Sequence, residues 1–268
     1  IPGSLSVRFP GWTEDKAMEK ILEVTNLKKT FYKNKTPFTA VNEISFTLNR
    51  GECLGLVGES GCGKSTTAKM ITRLLEPDSG SIRLDGEEIL GQKGKKKKEL
   101  YTKMQMIFQI PQDSFDPRCT LGDGIMESMR NHGMKRKDAR KRMYELLELA
   151  ELDKSFVSRY PHEVSGGQCQ RAAIARALAV DPRILICDEA TSALDVTIQA
   201  QIMDLLSRLQ RDRGLSILLI CHDLALVQKL CQRVLVMYKG SIIETGMTDE
   251  VIRHPREEYT KSLIDSVF

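Results

Sequence analysis

GESGCGKST, residues 58–66, is the stretch on which the fold turns. It satisfies G-x-x-x-x-G-K-[ST], a pattern that a chain of this size and ordinary glycine usage meets by chance on the order of once in a hundred sequences. Its flanks sharpen it. The apolar run LGLV leads in and the amphipathic segment TTAKMITRLL leads out, so a strand, a glycine loop and a helix follow one another. In that setting Gly58, Glu59, Ser60, Gly61, Cys62 and Gly63 let backbone amides wrap phosphate groups. Lys64 reaches the outer phosphate oxygens, and Ser65, followed by Thr66, offers a hydroxyl to Mg²⁺. An isolated glycine turn in an unrelated fold needs neither flank.

Outward from this loop, three further apolar runs repeat the layout. MQMIF leads to Gln109, ILIC to Asp188 and ILLIC to His222, as LGLV leads to Gly58. Runs this unbroken suit strands covered on both faces, hence a mostly parallel sheet in an α/β fold. In such sheets the ligand crevice lies outside the C-terminal strand ends, so the four runs deliver one site. Mg²⁺ takes few protein oxygens and keeps waters, which makes Asp188 the expected second anchor beside Ser65. Glu189 follows it, placed to polarise an attacking water.

The segment VSGGQCQR, 164–171, sets two glycines at the start of a helical, alanine-rich run that ends at Asp181-Pro182. Ser165 and Gln168 fit a capping box. The box leaves Gly166 and Gly167 unexplained, since each gives up as much as about 1 kcal/mol of helix propensity relative to alanine. Glycine there suits a bare helix N-terminus approached by an anion.

Bulk properties narrow the class. The chain has 268 residues, enough for a large α/β domain, and a net charge of +4, too small an excess to imply nucleic acid. The lysines at 95–98 carry no interleaved aromatics and read as a solvated loop or helix edge. The seven cysteines form no C-x-x-C pair, Cys53, Cys187 and Cys221 sit within apolar runs, and a reducing cytoplasm fits. The four histidines lack ligand spacing. No apolar run approaches the ~18 residues of a membrane span, which predicts a soluble chain. Residues 1–17 lack periodicity and read as a tail or linker before a domain over 18–268, with Met18 a natural start. Strands are expected in ILEVTNL and in AVNEISFTL, the latter facing Val41, Ile44, Phe46 and Leu48 inward, and a hairpin in VLVMYKGSIIETG. Helical patterns between Gln109 and Ser165 predict a helical lobe set into the sheet domain.

With these motifs in order, the chain from about Leu22 onward resembles the nucleotide-binding subunits of ABC transporters. The resemblance implies a P-loop NTPase core, an N-terminal antiparallel β subdomain, a helical lobe at about 110–175, and ATP with Mg²⁺ as cofactors. It makes Gln109 the Q-loop residue linking metal and water to the lobe, Glu189 the general base, and His222 the switch histidine at the γ-phosphate. Residues 192–195, SALD, ending at Asp195, become the D-loop. Phe31, with Tyr32 beside it, aligns with the aromatic that stacks on adenine. It also implies that two such domains close head to tail, so that Ser165, Gly166, Gly167 and Gln168 meet the γ-phosphate held by the other copy. Val164 replaces the usual leucine of that signature, a tolerated apolar exchange, and Cys169 replaces a common basic residue, which raises redox sensitivity as a weak expectation.

MIFQIPQDSFDPRCTLGDGI, RYPHEVSGGQ and HPREEYTKSLI look like the ATPases of peptide and nickel importers. That branch implies a second ABC ATPase, commonly a different one in a heterodimer with a homodimer as the alternative, two transmembrane permease subunits, a substrate-binding protein acting indirectly, and a peripheral place on the cytoplasmic face of the inner membrane. No cysteine-rich segment follows Cys231, which matches the shorter ATPase partner. The segment from Gln109 through the lobe would receive the permease. The alternatives are a soluble ABC ATPase of DNA repair or translation, for which long coiled coils or a second cassette are missing, and a regulator without turnover, for which the acid at Glu189 would be damaged whereas it is intact.

Overall fold

Because Cys53 to Val57, Ile184 to Asp188 and Ser216 to Cys221 are buried along their whole lengths, they form the centre of a sheet with both faces covered. A computed structural model describes residues 19–191 and 194–266; the expected tail at 1–17 and Ser192 and Ala193 of the D-loop lie outside them. The chain opens with a long hairpin, β1 (Lys20–Lys33) and β2 (Thr36–Asn49), then β3 (Cys53–Val57), α1 (Lys64–Ile71), β4 (Ser79–Leu84), β5 (Glu87–Glu88), α2 (Gly94–Lys103) and β6 (Met104–Ile107). Next come α3 (Leu121–Asn131), α4 (Arg136–Leu149) and α5 (Gly166–Ala177), followed by β7 (Ile184–Asp188), α6 (Val196–Arg213), β8 (Ser216–Cys221) and α7 (Leu224–Leu230). The chain closes with β9 (Arg233–Tyr238), β10 (Ser241–Met247), α8 (Thr248–Arg253) and α9 (Glu258–Asp265).

Two sheets result. The order β2-β1-β4-β5 is antiparallel, as expected of the N-terminal subdomain. The order β10-β9-β3-β8-β7-β6 is parallel from β9 to β6, with β10 alone antiparallel. Successive strand residues face opposite sides, and this divides the core. Cys53, Val57, Leu185, Cys187, Ile217 and Leu219 join the apolar faces of α3 to α7. Leu54, Leu56, Ile184, Ile186, Leu218 and Ile220 join α1 and the antiparallel sheet.

Val41, Ile44, Phe46 and Leu48 are all buried as expected, although the step from 41 to 44 breaks strict alternation. Glu43 absorbs it with φ +52°, where the pairing with β1 shifts between Leu27↔Ile44 and Lys29↔Val41. That is the signature of a bulge. The lysines at 95–98 fall on α2, whose buried residue is Leu100; Lys95, Lys96 and Lys98 are exposed and Lys97 is half-buried. No helix among the described residues is long and apolar enough to cross a membrane.

Candidate active site

Register brings the strand ends level. Val57 pairs with Cys221 and Asp188 with Ile220, so Gly58, Glu189 and His222 leave adjacent strands together. The loop after β3 is wound tightly enough to demand glycine at two places. At Gly58, φ is +149° and a Cβ would fall 2.2 Å from the Met237 carbonyl oxygen; at Gly63, φ is +112° and it would fall 2.2 Å from that of Ala40. Both contacts are with backbone, which cannot move aside cheaply. Lys64 is 3% exposed, and its ammonium donates to the Gly58 and Glu59 carbonyls at 2.6 and 2.8 Å, so the cation is drawn back into the loop. No side chain caps α1, which leaves its first-turn amides and dipole free to face an anion.

The Ser65 Oγ donates to Asp188 Oδ1 at 2.9 Å. Burial pushes the Asp188 carboxyl above the usual range and repulsion from Glu189 adds to this, while the Ser65 hydrogen bond and Lys69 and Lys64 oppose it. A hydroxyl and a carboxylate this close form a hard oxygen pair, which fits Mg²⁺. A divalent cation would also relieve the cost of the buried anion.

Glu189 takes φ +48°, a left-handed conformation that costs a non-glycine residue about 1 kcal/mol or more and concentrates at functional sites. Its amide donates to Ile220 O at 2.9 Å, anchoring the turn out of β7. Its Oε2 accepts from Gln109 Nε2 at 2.9 Å, so two expected catalytic residues from neighbouring strand ends meet. His222 is exposed one residue past β8, and Asp223 beside it caps α7.

The signature segment stands apart. Ser165 Oγ accepts from Gln168 N at 3.3 Å and Gln168 Oε1 from Ser165 N at 2.9 Å, completing the expected capping box. Among the described residues no hydrogen bond joins 165–168 to 58–66. The two glycines separate in role. A Cβ on Gly167 would lie 2.6 Å from Ile198 Cγ2, so α6 packs directly on its backbone, which gives this glycine a packing reason beside the expected approach of an anion. A Cβ on Gly166 would meet Leu194 Cδ2 at 3.4 Å, an ordinary contact, and packing gives no such reason for that glycine. Asp195 caps α6, accepting from Ile198 N at 2.9 Å, and so holds the residue that needs Gly167. Cys169 is fully buried and its thiol is pushed up to about 11, which makes it a core residue and removes the expectation of redox sensitivity.

Beside the P-loop lies a groove of about 510 Å³, walled by Phe38 to Ala40, Glu59 to Cys62 and Tyr238 to Gly240. The expected adenine aromatic, Phe31, is not in its wall. Phe31 pairs with Phe38 across the hairpin, which sets both rings on one face, and Phe38 is the more exposed, 57% against 39%. The two-residue turn at Asn34 and Lys35, both at positive φ, decides this pairing. Asn34 was the signal in the sequence that could have pointed to Phe38.

This geometry is that of an ATP-hydrolysing cassette. The ABC transporter family matches residues 41–192. The chain is similar to the oligopeptide transport ATP-binding protein OppF of Bacillus subtilis (strain 168), 48% identical over 93% of this chain and 83% of that protein. It is also similar to OppF of Escherichia coli (strain K12), 44% identical over 91% and 74% respectively. Among solved structures it is similar to the dimeric ATP-binding cassette MJ0796 in a post-hydrolysis state bound to ADP and Pi, with TM-score 0.78, 28% identity, and 85% of this chain and 98% of that chain covered. The chain belongs to the ABC transporter family and is one of its ATPases.

Proposed function

We propose that this chain powers an importer of oligopeptides as one of two ATPase subunits on the cytoplasmic face of the inner membrane, bound to two transmembrane permeases. The observation that carries the proposal is the pairing of two half-sites that do not meet. Ser65 with Asp188, and Gln109 with Glu189, gather beside the P-loop, while among the described residues no hydrogen bond joins the Ser165–Gln168 cap to it. A triphosphate seated in the loop then lacks a lid, and the cap of a second ATPase supplies one. The peptide rather than nickel reading rests on the OppF relatives.

In the hydrolytic step the loop amides and Lys64 bind and orient the phosphates, and catalysis is positioning and electrostatics. Ser65 Oγ and Asp188 would hold Mg²⁺, which would supply charge neutralisation at the phosphate oxygens. Glu189 takes the proton of the attacking water, oriented by the amide of Gln109. His222, level with Gly58 across β8 and β3, donates to the γ-phosphate oxygens. Phe38 and Phe31 offer the aromatic face for the base. A substrate-binding protein acts only through the permeases.

Purification of the assembled complex tests the reading: a second ABC ATPase and two permeases are expected to copurify, with ATP turnover that the addition of a peptide-loaded binding protein accelerates. Recovery of an active ATPase monomer alone would overturn it. Lys64→Ala is expected to weaken ATP binding by about 10- to 100-fold, since it removes charge-assisted hydrogen bonds to phosphate worth about 1.5–3 kcal/mol. Equilibrium nucleotide titration checks this, and unchanged affinity would rule out the cradle.

A further inference from the structure

The C-terminal HPREEYTKSLI segment has no part in the site described so far, yet one of its side chains touches the P-loop. The Glu59 amide donates to the Tyr259 hydroxyl at 2.8 Å, a contact between residues 200 apart in sequence. Glu59 is thereby held on both sides of its Cα, because its carbonyl accepts from Lys64 Nζ at 2.8 Å. The next turn of the loop is held from the same end of the chain, where Gly240, in the β9–β10 turn, donates to the Cys62 carbonyl at 2.9 Å.

Tyr259 is itself fixed. Its ring lies against Tyr238 with centroids 4.2 Å apart and planes tilted by 35°, and the Lys239 ammonium sits 5.0 Å from the centre of the Tyr238 ring. The entry to α9 is anchored by the buried Glu244, whose two oxygens accept from the Arg256 and Glu257 amides at 2.9 and 3.2 Å. Leu263 buries the other end of the helix in the core. Burial holds the Tyr259 phenol above its ordinary value, so its neutral oxygen accepts the amide proton.

We propose that Tyr259 is a positioning residue for ATP hydrolysis: from α9 it orients the Gly58–Glu59 peptide, whose carbonyl oxygen on Gly58 accepts from Lys64 Nζ at 2.6 Å, and through that peptide it aims the Lys64 ammonium for the incoming triphosphate. The proposal rests on the P-loop binding ATP, as set out above. Its physical content is that Lys64 needs a fixed acceptor to be aimed, and that acceptor stays fixed only while the Glu59 amide has a partner. Loss of the hydroxyl leaves the amide to find water and frees the peptide to rotate.

The test uses Tyr259→Phe in the full chain, which keeps the ring against Tyr238 and removes only the oxygen. Affinity for ATP is expected to fall about three- to tenfold, the effect of one lost hydrogen bond. Affinity for inorganic tripolyphosphate, measured by competition, is expected to fall by the same factor. In the assembled transporter the KM for ATP rises with it while kcat stays within about twofold, and the nucleotide-free melting midpoint stays that of the wild type. Loss for ATP alone would assign the tyrosine to the base groove and overturn the proposal. So would unchanged affinity for both ligands, or a fall in the melting midpoint with no KM change. Absence of ATP binding by the wild-type chain would instead overturn the cassette reading, which keeps the two failures apart.

Discussion

Glu189→Gln is expected to bind ATP as the wild type does and to hydrolyse it about 10²- to 10⁴-fold more slowly, the usual contribution of a general base. The substitution is nearly isosteric, and the new amide oxygen can still accept from Gln109 Nε2, which now lies 2.9 Å from Oε2. The left-handed turn at φ +48° and the amide bond to Ile220 belong to the backbone and persist. What disappears is the ability to take a proton from water. Because the Ser65–Asp188 pair and the P-loop are untouched, binding and closure proceed and the cycle stops before cleavage. The variant should therefore accumulate as a nucleotide-bound pair of ATPase subunits, visible by size exclusion with ATP and absent with ADP. Single-turnover hydrolysis at the wild-type rate would remove Glu189 from the role of base.

The two signature glycines are expected to fail differently. Gly166→Asp places a carboxylate where the partner's γ-phosphate arrives. Two unit charges about 4 Å apart repel by about 1–4 kcal/mol across the range from water-like to surface-like screening, and the phosphate carries more than one charge. ATPase activity of the assembled transporter should drop by about tenfold to a thousandfold. The isolated chain should melt normally, since the nearest atom to a Cβ at 166 is Leu194 Cδ2 at 3.4 Å. Gly167→Ala is expected to reverse this pattern. A methyl group 2.6 Å from Ile198 Cγ2 must push α6 away, at a cost of about 1–3 kcal/mol of stability, readable as a lower urea midpoint. Unimpaired turnover of Gly166→Asp in the assembled complex would show that the segment does not face nucleotide.

The contrast between these glycines shows how far local pattern reaches. The capping box at Ser165 and Gln168 was legible because it involves residues three apart on one helical turn. The packing reason for Gly167 was not, because it lies on a helix that starts almost thirty positions later. The aromatic position behaves likewise. Phe31 follows from alignment of the first strand, whereas the exposure of Phe38 beside the P-loop follows from where the hairpin turns. Cys169 looked accessible to chemistry by its place in a functional motif, yet helix packing buries it and raises its thiol to about 11.

By itself the amino-acid sequence determined the phosphate loop, the parallel strands that feed it, and the placement of Asp188, Glu189, Gln109 and His222 at or just beyond strand ends, with Ser65 following the loop. Each is written into a contiguous run, and the burial of such a run is dictated by its own apolar residues. Tertiary structure alone decided the partners: Gln109 on Glu189 across 80 positions, Ile198 on Gly167, Phe38 beside Phe31, and Tyr259 on Glu59. These depend on strand register and on how helices settle against the sheet, and such choices are made by the packing of the whole core rather than by any neighbour in the chain.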